Sequence, residues 1–274
     1  MIFKLKAFGI RAIGKLNLLR NKIYVRTSTL YGHQWRIPLI DAMGYDLAVG
    51  EESELWLSKE FQKIHAQFPF SVFIDIGVNI GQTLLKVKAI DPRIRYIGFE
   101  PNPVCVYYTE YLIRLNSIKN TSINCFGLGA VTALAQLHFL GAEDTRATLN
   151  RTETSPSDLN NQRQVAVWAL DDIDLEISQE ERVVVKVDVE GFELEVFTGA
   201  RNFILKHRPI LFFEVLPHQG LDKNIQRSKL LFNLLRDHQY NIFLLNQDGS
   251  KQAVDEHFEN SDDFSRTDFI GFPN

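Results

Sequence analysis

The sequence predicts an α/β protein built on a mostly parallel sheet with helices on both faces. Three observations carry that prediction. After residue 70, short apolar runs alternate with segments of helical period, the pattern of strand–helix–strand crossovers. The first of these runs ends in an acid and a glycine-rich turn, as a strand tip does where it leads into a helix. The chain closes on two apolar runs with no helix between them, which predicts an antiparallel end to the sheet.

Each element follows from its own residues. "SVFIDIG" is a strand closing on a turn, and "QTLLKVKAI" a helix ended by Asp91-Pro92. "IRYIGFE" is a second strand, "PVCVYYTEYLIRLNS" a helix, and "TSINCFGLG" a third strand. "LAQLHFLG" and "QVAVWALDDI" are strands flanking a polar segment over 142–162, which is too long for a simple turn. "RVVVKVDVEG" is a buried strand with an acidic end, followed by one helix over "ELEVFTGARNFILKH" and a fifth parallel-type strand, "PILFFEV". A helix over "QRSKLLFNLLRDHQ" and the strands "YNIFLLNQDGS" and "RTDFIGFP" finish the chain. Residues 1–70 are weakly periodic and predict a basic N-terminal helix with a helical or mixed cap, leaving 71–274 as the main domain.

At 274 residues the chain is long enough to bury a sizeable core, and 45% apolar with 23% charged residues is ordinary for a globular protein. Two cysteines, Cys105 and Cys125, make neither a CxxC pair nor a disulfide framework, so a reducing, cytoplasmic setting is expected. No run approaches the roughly 20 apolar residues of a membrane span. The first forty residues hold eight positive charges and no acid, so the rest of the chain carries a net charge of −12. Leu5, Phe8, Ala12, Leu16, Leu19 and Ile23 recur at helical spacing, with Lys4, Arg11, Lys15 and Lys22 to one side. Two readings fit: a helix packing its apolar face on the domain, or residues 1–25 resting on an anionic membrane at its inner face. A nucleic-acid partner is not expected, and the oligomeric state is left open.

"FIDIGVNIGQTLL" carries the first chemistry. Its pattern, Asp-x-Gly-x-Asn-x-Gly, is not the GxGxxG that seats a pyrophosphate, so a nicotinamide oxidoreductase is disfavoured. An acid at Asp75 suits a ligand with a cationic or hydrogen-bond-donating tail. Glu100, at the tip of the second strand, is placed to accept from both hydroxyls of a ribose. Singly, each glycine reads as a strand-to-helix turn and Glu100 as a solvated loop acid. Together, about 25 residues apart at successive strand ends, they favour a nucleoside without pyrophosphate, which S-adenosylmethionine satisfies.

The segments "FIDIGVNIGQTLL", "IGFEPNPVC", "WALDDI", "VVKVDVEGFELEVFTGA" and "PILFFEV" resemble the FkbM family of S-adenosylmethionine-dependent methyltransferases, "KVDVEGFELEVFTGA" being the most specific. The resemblance runs from Phe73 to Val215. It implies the class I methyltransferase (Rossmann-like) fold, a three-layer sandwich on seven strands with an antiparallel last strand. It also implies methyl transfer to oxygen, on a sugar of a surface polysaccharide or glycan precursor, or else on a secondary metabolite. By that resemblance Asp75, Gly77, Asn79 and Gly81 form the cofactor's tail and backbone site, and Gln82 and Thr83 open the following helix. Glu100 binds the ribose with Asn102 beside it. Gly127 and Leu128 flank the adenine, where the usual acidic contact is absent.

Methyl transfer to an alcohol needs alignment of the acceptor and a base for its proton. Asp188, Glu190, Glu214 and His218 are the groups expected nearest the transferring methyl. Each also has a plainer reading: Asp188 as a cofactor or cap contact, Glu190 as a helix cap, His218 as a surface histidine. A metal-free site is expected, with a divalent ion among the three carboxylates the lesser alternative. Trp168, Phe192, Phe212 and Phe213 could stack on a sugar, although core packing explains them as well. Arg146, in the polar segment, is a candidate acceptor contact. A non-catalytic binding module of the same fold is a third function class, against which the acids Asp75, Glu100 and Asp188 count.

Overall fold

The computed structural model describes residues 23–40, 43–139, 147–149, 161–215, 222–254 and 268–274, the side chains of 222–225 excepted. The described chain begins with an antiparallel hairpin, β1 (Ile23–Leu30) and β2 (His33–Ile40). It turns at Tyr31 and Gly32, with φ of 53° and 79°, the paired left-handed turn that matches strand twist. Ile23 is therefore a strand residue, which corrects the expected helix at that position. Residues 1–22, where the rest of that expectation falls, lie outside the described residues. Two helices follow, α1 (Tyr45–Ala48) and α2 (Leu55–Gln67), so residues 23–70 are mixed strand and helix.

The main run is β3 (Val72–Ile76), α3 (Gln82–Ile90), β4 (Arg95–Phe99), α4 (Pro103–Asn116) and β5 (Thr121–Asn124), then β6 (Gly127–Leu128), β7 (Ala133–Phe139) and β8 (Asn161–Trp168). After a short 3-10 turn come β9 (Val183–Val187), α5 (Glu193–Thr198), α6 (Arg201–His207) and β10 (Ile210–Glu214). The chain ends with α7 (Asp222–Asp237), β11 (Tyr240–Leu245), β12 (Lys251–Ala253) and β13 (Asp268–Pro273).

The large sheet has eight strands in the order β12-β11-β13-β10-β9-β3-β4-β5. β5, β4, β3, β9 and β10 pair in parallel, and β13 is inserted antiparallel between β10 and β11. This is the class I methyltransferase topology. It exceeds the expected seven strands because β12 pairs antiparallel on the outer edge of β11. Period-two alternation sorts the strand residues. Ile74, Ile76, Val185, Val187 and Phe213 join α5, α6 and α7 in one core, while Phe73, Tyr96, Val184 and Phe212 join α2 and α3 in the other. The N-terminal hairpin packs on α4, where the Tyr108 hydroxyl donates to the Pro38 carbonyl at 2.9 Å.

Two expected elements are divided. The third strand leaves the main sheet after Asn124, and Gly127 and Leu128 pair instead with β8 in a separate three-stranded sheet, β6-β8-β7. The expected helix over 193–207 is two helices, broken at Gly199 and Ala200. A Cβ on Gly199 would stand 2.0 Å from the carbonyl oxygen of Gly129, so the break follows the close approach of two backbones.

Candidate active site

The tips of β3, β4 and β9 are tied together by backbone. Gly77 N donates to Phe99 O, and Asp188 N to Ile76 O, both at 2.9 Å. Gly77 turns with φ of 94°, and a Cβ there would stand 1.9 Å from the Asp188 carbonyl oxygen. Gly77 is thus required by its neighbour as much as by its own turn.

Asn79 also takes a positive φ, 54°. Its N–H donates to Oε2 of Glu100 at 2.8 Å, and the N–H of Asn102 donates to Oε1 at 2.8 Å. Glu100 is buried and so stitches the turn after β3 to the turn after β4. Burial pushes its carboxyl up to about 7, against those two hydrogen bonds. Asn102 caps α4, its Oδ1 accepting from Val104 N at 3.1 Å.

A cleft of about 670 Å³ opens at these tips. Its polar lining includes Asn79, Glu100, Asp188 and Glu190. Its apolar lining includes Leu128 and Leu137 of the small sheet. The turn at 188–191 is held from three sides. The Glu193 carboxylate accepts from Gly191 N at 3.0 Å, Arg227 donates to Gly191 O at 3.2 Å, and Thr148 Oγ1 donates to Glu190 O at 2.8 Å. These contacts fix Glu190 at a φ of 54°. The Glu193 carboxylate also accepts from Val189 N at 3.4 Å, so it satisfies two N–H groups of this turn.

On the α2–α3 face of the sheet lies a buried ionic network. Lys186 stands beside Asp75 in the β9–β3 register, and its Nζ donates to Asp188 Oδ2 at 2.7 Å. Burial would raise the Asp188 carboxyl, but the Lys186 ammonium and hydrogen bonds from Lys186 and Glu214 hold it below the ordinary carboxylate range. Glu214 takes the opposite course. Burial, then the Asp188 charge, pushes it up to about 9, so at neutral pH Glu214 holds the proton it shares with Asp188. Asp75 is wholly buried and accepts from the Tyr96 hydroxyl. Burial raises it to about 6, offset by Lys186 and Tyr96. Lys86 of α3, also wholly buried, pairs with Glu54 at 2.5 Å.

Of the residues singled out in the sequence, Gly77, Asn79, Glu100, Gly127, Leu128, Asp188 and Glu190 line the cleft. Asp75 does not; it is buried in the ionic network. Gly81 precedes α3, with Thr109 Cγ2 3.1 Å from where a Cβ would stand. Gln82 and Thr83 begin α3 outside the cleft lining, and Asn102 is the α4 cap. Glu214 lines a second, smaller cavity. Phe212 and Phe213 are only 3% exposed and engaged edge-on by Phe61 and Phe197, so core packing accounts for them. Trp168 is partly exposed, its ring 5.9 Å from that of Phe126. Phe192 packs near Gly129, 3.0 Å from where a Cβ on that glycine would stand. His218 and Arg146 lie outside the described residues, as does most of the polar segment. Among the described residues no three His, Cys, Asp or Glu side chains converge for a metal ion, and no helix is long and apolar enough to cross a membrane.

Sequence reasoning missed Glu54, Lys86, Tyr96 and Glu193, and left Lys186 undecided. Two lysines inside the apolar stretch "QTLLKVKAI" were the available signal: a helix so apolar has no wet face for both. The second, Lys88, is also buried and donates to the carbonyls of Ile94 and Lys119 at 2.6 and 2.8 Å.

The family model described as the methyltransferase FkbM domain matches residues 75–242. The curated protein "Methyltransferase 1" of Beauveria bassiana (strain ARSEF 2860) is 31% identical over 150 residues, which are 49% of this chain and 60% of that protein. Among solved structures, the FkbM methyltransferase of Methylobacillus flagellatus KT aligns with 74% of this chain and 44% of its own, at 20% identity and a TM-score of 0.46. An O-methyltransferase of Bacillus cereus, solved in complex with SAH, aligns with 80% of each chain at 9% identity and a TM-score of 0.44.

Proposed function

The chain belongs to the FkbM methyltransferase family, and from that premise we propose that it uses S-adenosylmethionine to methylate a hydroxyl of a sugar in a surface polysaccharide or glycan precursor. The observation that carries the reading is Asp188, held as a carboxylate by Lys186 at 2.7 Å, in the cleft that Glu100 also lines. The cleft's acids disfavour a pyrophosphate and accommodate a cationic tail. Its apolar side suits an adenine that no acid contacts.

Bound there, the cofactor would supply an electrophilic methyl carbon. The chain's own residues do the rest. Each Glu100 oxygen already accepts one N–H and keeps a second lone pair for a ribose hydroxyl. Gly77, Asn79 and Glu190 would lie along the cofactor's tail, and Gly127 and Leu128 along its base. Asp188 would accept the proton of the acceptor hydroxyl as its oxygen bonds the methyl carbon, whose bond to sulfur would break to leave S-adenosylhomocysteine. Glu214, carrying a proton at neutral pH, cannot be that base until pH rises.

Transfer of radiolabelled methyl from S-adenosylmethionine to a set of neutral glycosides tests the reading. The label should appear in an alkali-stable methyl ether. Label in an ester or amine, or on none of the glycosides, would contradict it.

A further inference from the structure

Asp75 is wholly buried and does not line the cleft. Its Oδ2 accepts from the Tyr96 hydroxyl, and its Oδ1 has no hydrogen-bond partner among the described residues. A buried carboxylate with so few donors is costly unless a cation answers it. That cation is Lys186, which lies beside Asp75 in the β3–β9 register and donates from its Nζ to Asp188 at 2.7 Å. One ammonium thus serves two carboxylates, one sealed in the sheet face and one lining the cleft.

Resting on the role proposed above for Asp188, we propose that Asp75 and Tyr96 are positioning residues for methyl transfer: acting through Lys186, they set how readily Asp188 takes the proton of the acceptor hydroxyl.

The direction of the effect follows from the charges. A negative Asp75 offsets part of the Lys186 field at Asp188 and leaves Asp188 the stronger proton acceptor. A neutral Asp75 leaves Lys186 to Asp188 alone, whose carboxylate is then more stable and less basic. The Tyr96 hydroxyl favours the negative form of Asp75, because it donates to it. Burial raises the Asp75 carboxyl to about 6, against Lys186 and Tyr96, whereas Asp188, despite burial, is held below the ordinary carboxylate range by Lys186. Just below neutral pH, therefore, Asp75 gains a proton while Asp188 stays charged.

Other charged groups face these three from each neighbouring element. Lys86 of α3 pairs with Glu54. Glu214 of β10, opposite Asp268 of β13, holds its proton at neutral pH. Glu190 follows Asp188 in the same turn. Glu100 and Glu193, both raised by burial to about 7, change charge closest to Asp75 on the pH scale and must be separated from it.

Carboxyl-carbon NMR of the full chain, labelled at aspartate only and titrated from acid to neutral pH, tests the coupling without any acceptor and keeps the glutamates silent. The resonance lost in Asp75→Asn identifies Asp75. Coupling is reciprocal, so the influence of Asp75 on Asp188 is read at Asp75. Asp188→Asn removes a negative neighbour and leaves Lys186 to Asp75, so the Asp75 titration should move down by at least about half a pH unit, and Tyr96→Phe should move it up. In methyl transfer to the accepted glycoside, wild-type kcat should fall through the Asp75 titration near pH 6. Asp75→Asn should abolish that fall and hold kcat about three- to tenfold below the wild-type plateau, and Tyr96→Phe should move the fall to higher pH. S-adenosylhomocysteine affinity should be unchanged in both variants, which also reports that they are folded. An Asp75 titration unmoved by Asp188→Asn, or a fall in kcat that persists in Asp75→Asn, would overturn the positioning role while leaving Asp188 as the base. Near-normal turnover in Asp188→Asn would instead overturn the reading of Asp188 on which the role rests.

Discussion

The carbonyl oxygen of Asp188 occupies the space that a side chain at Gly77 would need, 1.9 Å from the position of its Cβ. The glycine-rich turn after β3 and the acidic end of β9 are therefore one unit. Gly77→Ala must displace a backbone already fixed by hydrogen bonds to Phe99 and Ile76. We expect a loss of about 3 kcal/mol in stability, at the upper end for an overpacked site with an added φ penalty. Denaturant unfolding measures it; a loss below about 1 kcal/mol would show that the turn can relax.

Glu100→Ala removes the acceptor of two buried N–H groups as well as the proposed ribose contact. S-adenosylhomocysteine affinity should fall by about 1–3 kcal/mol, and the melting temperature should fall with it. A variant that melts lower but binds normally would leave Glu100 with only its structural role.

Lys186→Met strands Asp188 and Asp75 beside one another without their shared cation. Removing one partner of a buried pair costs about 3–5 kcal/mol, and the 29% exposure of the Asp188 side chain places the expected loss at the lower bound. Lys186→Arg should recover part of it. Equal stability of Met and wild type would mean that solvent already screens the pair.

The pH dependence follows from Glu214. Its folded-state pKa, about 9, lies above the unfolded value of 4.5. The stability it contributes is complete below 4.5 and is lost as pH rises through 9. Glu100 and Glu193, both raised by burial to about 7, act in the same direction over a narrower window. The melting temperature should therefore decline from pH 5 to 9, and Glu214→Gln should flatten the part between 7 and 9. An unchanged slope in that variant would assign the proton elsewhere.

Much of this site was legible in the sequence because strand tips announce themselves. Glu100 and Asp188 each end an apolar run, and the glycines after Asp75 mark the turn. Asp75 itself was misplaced. Two residues before Gly77, Asp75 still lies within the pleat, so its side chain points into the α2–α3 face beside Lys186, not toward the cleft. The ionic network was hidden because its members come from six separate segments and meet only through tertiary packing. The break at Gly199 was hidden for a similar reason: helical period continues across it, and only the approach of Gly129 stops the helix.

Residues 1–25 hold no acid and carry six of the basic residues, and we propose that they rest on anionic membrane. Flotation should bring the protein up with anionic liposomes and not with neutral ones. Equal failure with both would leave these residues a packing role.

The proposed nucleoside site at Glu100 and the proposed proton acceptor Asp188 line one cleft, and calorimetry with a methyl-transfer assay on Asp188→Asn tests the two together. This variant keeps the shape of the side chain and removes its basicity. S-adenosylhomocysteine should bind it within about threefold of wild type, NAD should bind neither protein, and methyl transfer to the accepted glycoside should fall by about 100- to 10,000-fold. Near-normal turnover in Asp188→Asn, or binding of NAD in place of S-adenosylhomocysteine, would contradict the account.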